Sequence, residues 1–253
     1  MSSSGLNSSG RKSRIPAGRK KLAFIVSAYN EELKICGTID KLLALSQKFP
    51  GVQYAIVVAD DGSSDRTLKI VEDYANRLPE TVGFVHFPQN IGVGAAFVNT
   101  ALKLTSDYVC CVPGDDMLDP RCFEILLEAA VDDRPVISFL GNAHKRAFMR
   151  RVISALYSGL WTRILRLNLK YINGTCTYRL DNIRPLDLKS ERFCLFAELT
   201  AKTIIKGATY TSVPFEIQDK NLGSQAISPN QIKSLFELPR AYLSTLALLI
   251  AKR

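Results

Sequence analysis

The sequence predicts an α/β fold: a mostly parallel sheet flanked by helices, with a basic amphipathic helical segment after the core. Three observations lead to it. Residues 54–65 (YAIVVADDGSSD) run apolar and β-branched, then break into acids, glycine and serines, as a buried strand does when it delivers carboxylates to a turn. Residues 107–120 (DYVCCVPGDDMLDP) repeat that grammar. Around these runs, strand-like stretches alternate with helical periodicity, the pattern of βα units in a parallel sheet.

Residues 1–20 are rich in Ser, Gly, Arg and Lys, lack an apolar leader-like run and read as a disordered basic tail. Residues 21–29 (KLAFIVSAY) form the first strand. An acidic turn at Asn30, Glu31 and Glu32 follows, then a helix with apolar positions Leu33, Ile35, Ile39, Leu42, Leu43 and Leu45. The strand at 54–59 leads into a helix over 66–77, with Ser63 or Ser64 as cap and Asp65 at the positive helix end. A short strand at 82–87 precedes PQNIGVGAAF (88–97), whose glycines open a helix to residue 104; they suit either a phosphate contact or close packing of the helix on the sheet. A strand at 108–112, a helix from Pro120 and a strand at 134–140 continue the alternation.

From Arg146 the pattern changes. Apolar pairs at 148/149, 152/153, 156/157, 160/161 and 164/165 recur every four residues, with Arg150, Arg151, Arg163 and Arg166 between them. This is a long basic amphipathic helix, with a break expected at Gly159. It suits packing on the sheet or lying on anionic lipid. A helix over 193–206, a strand over 208–217, a polar loop at 218–225 that could close over the crevice, and an apolar or amphipathic helix within 231–253 complete the chain. One domain spans 21–230.

A chain of 253 residues, 47% hydrophobic and 23% charged, has material for one large core and is not a disordered polymer. Six cysteines without a CxxC pair, and only two histidines, argue against a zinc site and read as reduced buried thiols of a cytoplasmic protein. The net charge of +9 is uneven: residues 1–21 hold six basic and no acidic side chains, residues 134–180 nine basic and none acidic, so the remainder is net acidic. Nucleic acid is excluded as a partner because the arginines alternate with aliphatics rather than stacking aromatics. The apolar run at 241–251 is shorter than the roughly 20 residues of a spanning helix, so the expected location is peripheral, at the cytoplasmic face of a membrane.

The strand ends carry the chemistry. Asp60, Asp61, Asp115 and Asp116 are expected at the rim of one cleft, where clustered carboxylates repel unless a cation neutralises them. Oxygen donors select Mg²⁺ or Mn²⁺, and such a metal wants a phosphate-bearing substrate.

SAYNEE at 27–32, VVADDGSSDRT at 57–67, NIGVGAA at 90–96 and PGDDMLDP at 113–120, in this order on these strand ends, resemble the family-2 nucleotide-sugar glycosyltransferases of Rossmann-like GT-A fold. RRVIS at 150–154, NGTCTYRL at 173–180 and VPFEIQDKNLGS at 213–224 are similar to the polyprenyl-phosphate branch that includes dolichol-phosphate mannose synthase. The resemblance covers about residues 22–226 and implies a nucleotide-diphosphate sugar as donor and inversion at the sugar. It implies that Ala28, Tyr29, Asn30 and Glu31 line the nucleotide pocket, that Asp60 or Asp61 contacts base or ribose, and that Asn90 and Gly92 sit near the same nucleotide. Asp115 falls on the last aspartate of the family's DxD metal motif. Pro113 stands in place of the first and Met117 replaces a polar residue two positions on, so either Asp116 is the substitute ligand or metal is bound weakly; the resemblance makes Asp115 and Asp116 the expected catalytic, metal-holding pair.

A hydroxyl acceptor needs a general base, normally a carboxylate, and residues 134–180 contain none. A phosphate is already anionic. The expected acceptor is therefore a membrane polyprenyl phosphate, held by Arg146, Arg150 or Arg151, with Lys220 in the place of the family's loop arginine. Glu198 is an available base, but its helical pattern points to a structural role. A soluble or protein acceptor, and a nucleotide-sugar-binding module without catalysis, are the alternatives.

Overall fold

A computed structural model describes residues 20–146, 148–167, 169–217 and 233–252. The basic tail, Lys220 and the polar loop at 218–225 lie outside them, apart from Lys20.

The first strand, β1 (Leu22–Ala28), is buried along almost its whole length. Leu22, Phe24, Val26 and Ala28 enter one core cluster while Ala23 and Ile25 enter another. A strand covered on both faces explains the unbroken apolar run that the sequence shows here. On the first face lie α1 (Ile35–Leu43), followed by the short α2 (Leu45–Lys48), then α3 (Thr67–Arg77) and α5 (Pro120–Val131). On the second lie α4 (Val93–Ala101), the short α7 (Leu180–Ile183) and α8 (Cys194–Ile205).

The main sheet has the order β3-β2-β1-β4-β6, with β2 (Tyr54–Asp60), β3 (Val82–His86) and β4 (Tyr108–Pro113) parallel to β1, and β6 (Thr177–Arg179) antiparallel to β4. The chain steps outward from β1 to β2 and β3, then returns to the other side of β1 for β4. That reversal opens a crevice at the carboxyl ends of the strands, where open α/β sheets hold ligands. Ala28 stands opposite Asp60, and Ser27 opposite Pro113, so both acidic turns leave the sheet at the same edge.

The strand expected at 134–140 forms as β5 (Val136–Leu140), but it pairs in parallel with β7 (Thr211–Phe215) in a separate two-stranded sheet. The edge of β4 is taken by β6, three residues too short to show a period in sequence. The two sheets join where Ser138 N–H donates to Thr175 O at 3.0 Å and where Gly174 crosses β5. A Cβ on Gly174 would fall 1.7 Å from the Ser138 carbonyl oxygen, so only glycine fits.

The basic helix α6 (Phe148–Ile164) runs unbroken through Gly159, around which a Cβ would meet nothing within 4 Å. A surface glycine costs propensity without ending a helix whose other face is packed. Trp161 and Leu165 are buried against α8 and the last helix, α9 (Leu238–Ala251), with Trp161 5.5 Å from Tyr242 in an edge contact. Counted from Lys233, the C-terminal helical segment is 19 residues, by length and composition alone enough to cross a membrane, which the count from residue 241 underestimated.

The buried face of α8 carries an ion pair. Glu198 accepts from Lys202 Nζ at 2.7 Å and from the backbone N–H groups of Lys189 and Ser190, while Lys202 also reaches Ser244 on α9. With the acceptor positions of Glu198 filled and its side chain sealed from solvent, the structural reading of this residue is the one the geometry supports. Lys202→Met leaves that carboxylate buried without its cation, a loss of about 3–5 kcal/mol. The expected fall in Tm is roughly 10 °C; Lys69→Ala, which breaks the exposed pair with Asp73, should move Tm by about 1 °C or less. Calorimetry of the two variants checks the contrast.

Candidate active site

Three loops at the carboxyl edge are laced together by their own polar groups. Asn30, in the left-handed region at φ 55°, donates its N–H to Ser63 Oγ at 3.0 Å and receives the Ser64 N–H on Oδ1 at 2.8 Å. The Glu31 N–H reaches Thr67 Oγ1, and Glu32 exchanges bonds with the 65–66 backbone and side chain. The NEE and DGSSD motifs thus serve first to fix each other. Tyr29, 42% exposed, projects from this rim, while Ala28 contributes its carbonyl to the Asp61 N–H.

Both aspartates of the first acidic turn are buried. Asp61 accepts the N–H groups of Ile91 and Gly92 at 2.7 and 3.0 Å, and its carboxyl is pushed up by burial against the pull of those two bonds. Asp60 lies opposite His86 in the β2–β3 register and contacts its Nδ1 at 2.7 Å. Asn90 Nδ2 donates to the Asp61 carbonyl at 3.3 Å. A Cβ on Gly92 or Gly94 would lie 2.7 or 2.5 Å from the carbonyl oxygens of Glu191 or Arg192. Of the two readings of this glycine pair, close packing is the one the contacts support.

The second acidic turn divides its pair. Asp116, at φ 56°, donates its N–H to Thr38 Oγ1 and ion-pairs with Lys41 Nζ at 2.5 Å. Its carboxylate occupies the space a Cβ on Gly37 would need, 2.8 Å away. Asp116 therefore anchors the turn to α1 through Thr38 and Lys41. Asp115 accepts the Met117 N–H at 3.2 Å. Burial raises its carboxyl above the ordinary value, while Lys34 pulls it back. Glu31 is raised by burial first and by Asp115 second, which places the two carboxylates in one electrostatic field. Among the described residues no three His, Cys, Asp or Glu side chains converge on an ion position. The donor set fits a divalent cation held by one or two carboxylates together with diphosphate oxygens, the usual manner for Mg²⁺.

The basic segment reaches the same edge. Leu118 bridges to Ile217, and Ile217 is held by Asn142, whose amide donates to its carbonyl at 2.8 Å and receives its N–H. Four residues later Arg146 is half-buried, its Nε enclosed without a hydrogen-bond partner. Burial, then the like charge of Arg150, pushes its guanidinium below the ordinary value. Arg151 is exposed on α6. Lys34, Lys41, Gly37 and His86 were not singled out by sequence; the only available signal was that His86 is one of two histidines and ends a strand.

The model of the family described as Glycosyl transferase family 2 matches residues 23–180, more than half of the chain. The chain belongs to that family. It is 28% identical over 142 residues to an undecaprenyl-phosphate 4-deoxy-4-formamido-L-arabinose transferase of Edwardsiella ictaluri, covering 56% of this chain and 43% of that protein. It is 27% identical over 176 residues to a dolichyl-phosphate beta-glucosyltransferase of Dictyostelium discoideum, covering 63% and 53%. The chain thus spans about half the length of these relatives. Among solved structures, glucosyl-3-phosphoglycerate synthase of Mycobacterium tuberculosis with UDP superposes with a TM-score of 0.65 at 16% identity, covering 92% of this chain and 81% of that one. A complex of the same enzyme with Mn²⁺, UDP and product gives 0.60 at 19% identity, covering 93% and 80%. The fold is accordingly the Rossmann-like GT-A type.

Because the folded state binds the Asp115 proton more tightly than the unfolded chain, this group's contribution to stability is present at low pH and is lost as pH rises through its folded-state value. At pH 7.5 Asp115→Asn is therefore expected to raise Tm by roughly 1–3 °C, with the gain vanishing below about pH 4. Thermal melts at both pH values test this; a lower Tm than wild type at pH 7.5 contradicts it.

Proposed function

We propose that the chain transfers a sugar from a nucleoside-diphosphate sugar to a membrane polyprenyl phosphate. The observation that carries this reading is the pair Arg146 and Arg150, with the Arg146 Nε buried and unbonded, in a stretch of 47 residues free of acids. A buried guanidinium edge without an acceptor is costly, and a phosphate oxygen satisfies it with a charge-assisted bond. An acceptor that arrives as an anion also removes the need for a general base, which this segment does not contain. The names of the Edwardsiella and Dictyostelium relatives support the same acceptor class.

In the proposed reaction an oxygen of the acceptor phosphate attacks the anomeric carbon in line with the diphosphate. The new C–O bond forms as the bond to the leaving diphosphate breaks, with inversion, and the electron pair leaves on the nucleoside diphosphate. Tyr29, Asn30, Glu31, Asp60, Asp61, Asn90 and Gly92 form the nucleotide side, with Ala28 beneath them. Asp115 would hold a Mg²⁺ or Mn²⁺ ion, which when bound neutralises charge on the leaving group. Asp116 fixes the turn that presents Asp115. Arg146 and Arg150 orient the acceptor, and Arg151 and Lys220 add to the attraction for its charge. Exposed Phe148, Met149, Ile153 and Leu156 alternate with Arg150 and Arg151 on α6, a composition suited to the surface of an anionic membrane.

A second reading, a small soluble phosphorylated acceptor, is favoured by the likeness to a synthase solved with phosphoglyceric acid. Lipid extraction separates the two. Purified protein with membranes and a labelled nucleotide sugar is expected to move label into the organic phase, Asp115→Asn to abolish this, and Arg146→Ala to lower kcat/KM for the lipid by about 10–100-fold, the loss of one charge-assisted bond. Label appearing only on a water-soluble phosphate ester supports the second reading.

A further inference from the structure

The start of α8 is held by residues that come 40 to 46 positions later in the chain. Its own N-cap position, Phe193, offers no side-chain acceptor, and the N–H groups there are met by the segment that leads into α9. Cys194 N–H donates to Ser234 Oγ at 2.7 Å, while Arg192 and Glu191 N–H donate to Glu237 Oε2 at 3.0 and 3.3 Å. The first N–H groups of a helix have no partner within it, and the partial positive charge of that end favours a carboxylate beside it. The Arg192 side chain approaches the same carboxylate, with Nε 4.0 Å from Oε1.

The peptide unit joining Glu191 to Arg192 is thus gripped at both ends. Its N–H goes to Glu237, and its carbonyl accepts the Ala95 N–H at 2.7 Å, a donor that the start of α4 leaves without a helical partner. Gly92 rests on that same carbonyl oxygen, 2.7 Å from where its Cβ would be, and Gly94 rests on the Arg192 carbonyl at 2.5 Å. Gly92 in turn donates its N–H to Asp61. A continuous path of contacts therefore runs from the C-terminal segment, through one peptide plane, to the loop at the nucleotide end of the crevice. Hydrogen bonds at the two ends of a peptide polarise one another, so removing the acceptor at 237 also weakens the hold on Ala95. We propose that Glu237, with Ser234 beside it, is a positioning residue for the donor: the C-terminal segment sets the place of the Gly92 loop and with it the affinity for the nucleoside diphosphate. This rests on the nucleotide-sugar reading above and adds to it a residue far from the crevice in sequence that tunes its grip.

The test is calorimetric titration of the full chain with UDP and with GDP in the presence of Mg²⁺, alongside thermal melts. For the nucleotide that binds more tightly, Glu237→Ala is expected to weaken binding about tenfold, and to raise KM for the matching nucleotide sugar by the same factor with kcat within about twofold of wild type. Glu237→Gln, which keeps an acceptor oxygen, should bind within about threefold of wild type. Ser244→Ala breaks the bond between α9 and Lys202 without touching the 191–192 peptide, and should bind nucleotide as wild type does. Should Glu237→Ala fail to fold, Ser234→Ala strips only the Cys194 N–H and is expected to weaken binding about threefold; unchanged binding there overturns the inference. If Glu237→Ala melts lower yet binds as wild type, or if Ser244→Ala weakens binding as much as Glu237→Ala, the contact is only structural and the inference falls while the transferase reading stands. If wild type binds neither nucleotide, the nucleotide-sugar reading falls and takes the inference with it.

Discussion

Putting four aspartates at the ends of two strands that flank β1 creates a charge problem, and the rest of the site is organised by how each charge is met. Asp61 is absorbed by backbone N–H groups of the 91–92 turn, Asp60 by His86, and Asp116 by Lys41 across the gap that Gly37 leaves in α1. Each of these solutions also ties one loop to its neighbour. Asp115 has a single backbone N–H and the distant pull of Lys34, and burial raises its carboxyl. Among the described residues Asp115 is thus the carboxylate of the four that a cation could still neutralise. Desolvated charge of this kind opposes folding and favours ligand binding, the familiar tension between stability and activity.

Much of this was legible in the sequence because burial on both faces of a parallel strand leaves an unbroken apolar signature, and because the acids that end β2 and β4 interrupt it sharply. The helices α1 and α6 followed from their apolar periodicity, and α3 from the capping residues before it. What was not legible depended on pairing across space. β6 is three residues long, and the transfer of β5 to a second sheet with β7 depends on Gly174 crossing it, information that no local pattern carries. In the site, the left-handed φ of Asp116 and its ion pair with Lys41, 75 positions away, could not be read from the adjacent aspartates alone. The glycines at 92 and 94 looked equally suited to phosphate; only the approach of the Glu191 and Arg192 carbonyls distinguishes the readings.

The basic half of the molecule is the counterpart of the acidic crevice. The contacts from Leu118 through Ile217 to Asn142 tie the acid-free segment to the chain just after the second acidic turn. The buried faces of α6 and α9 meet around Trp161 and hold that segment against α8, where the Glu198–Lys202 pair sits sealed within the fold.

The central claim is that, of the four aspartates, Asp115 is the one whose charge the fold leaves for a ligand. Carbon-13 labelling of aspartate carboxyls, assigned by Asp→Asn variants, reads it directly. Asp115 is expected to titrate above the ordinary carboxylate value of about 3.9 and to drop when Mg²⁺ and UDP are added together, with the Asp116 signal unmoved. A response at Asp116 with none at Asp115 would contradict the account.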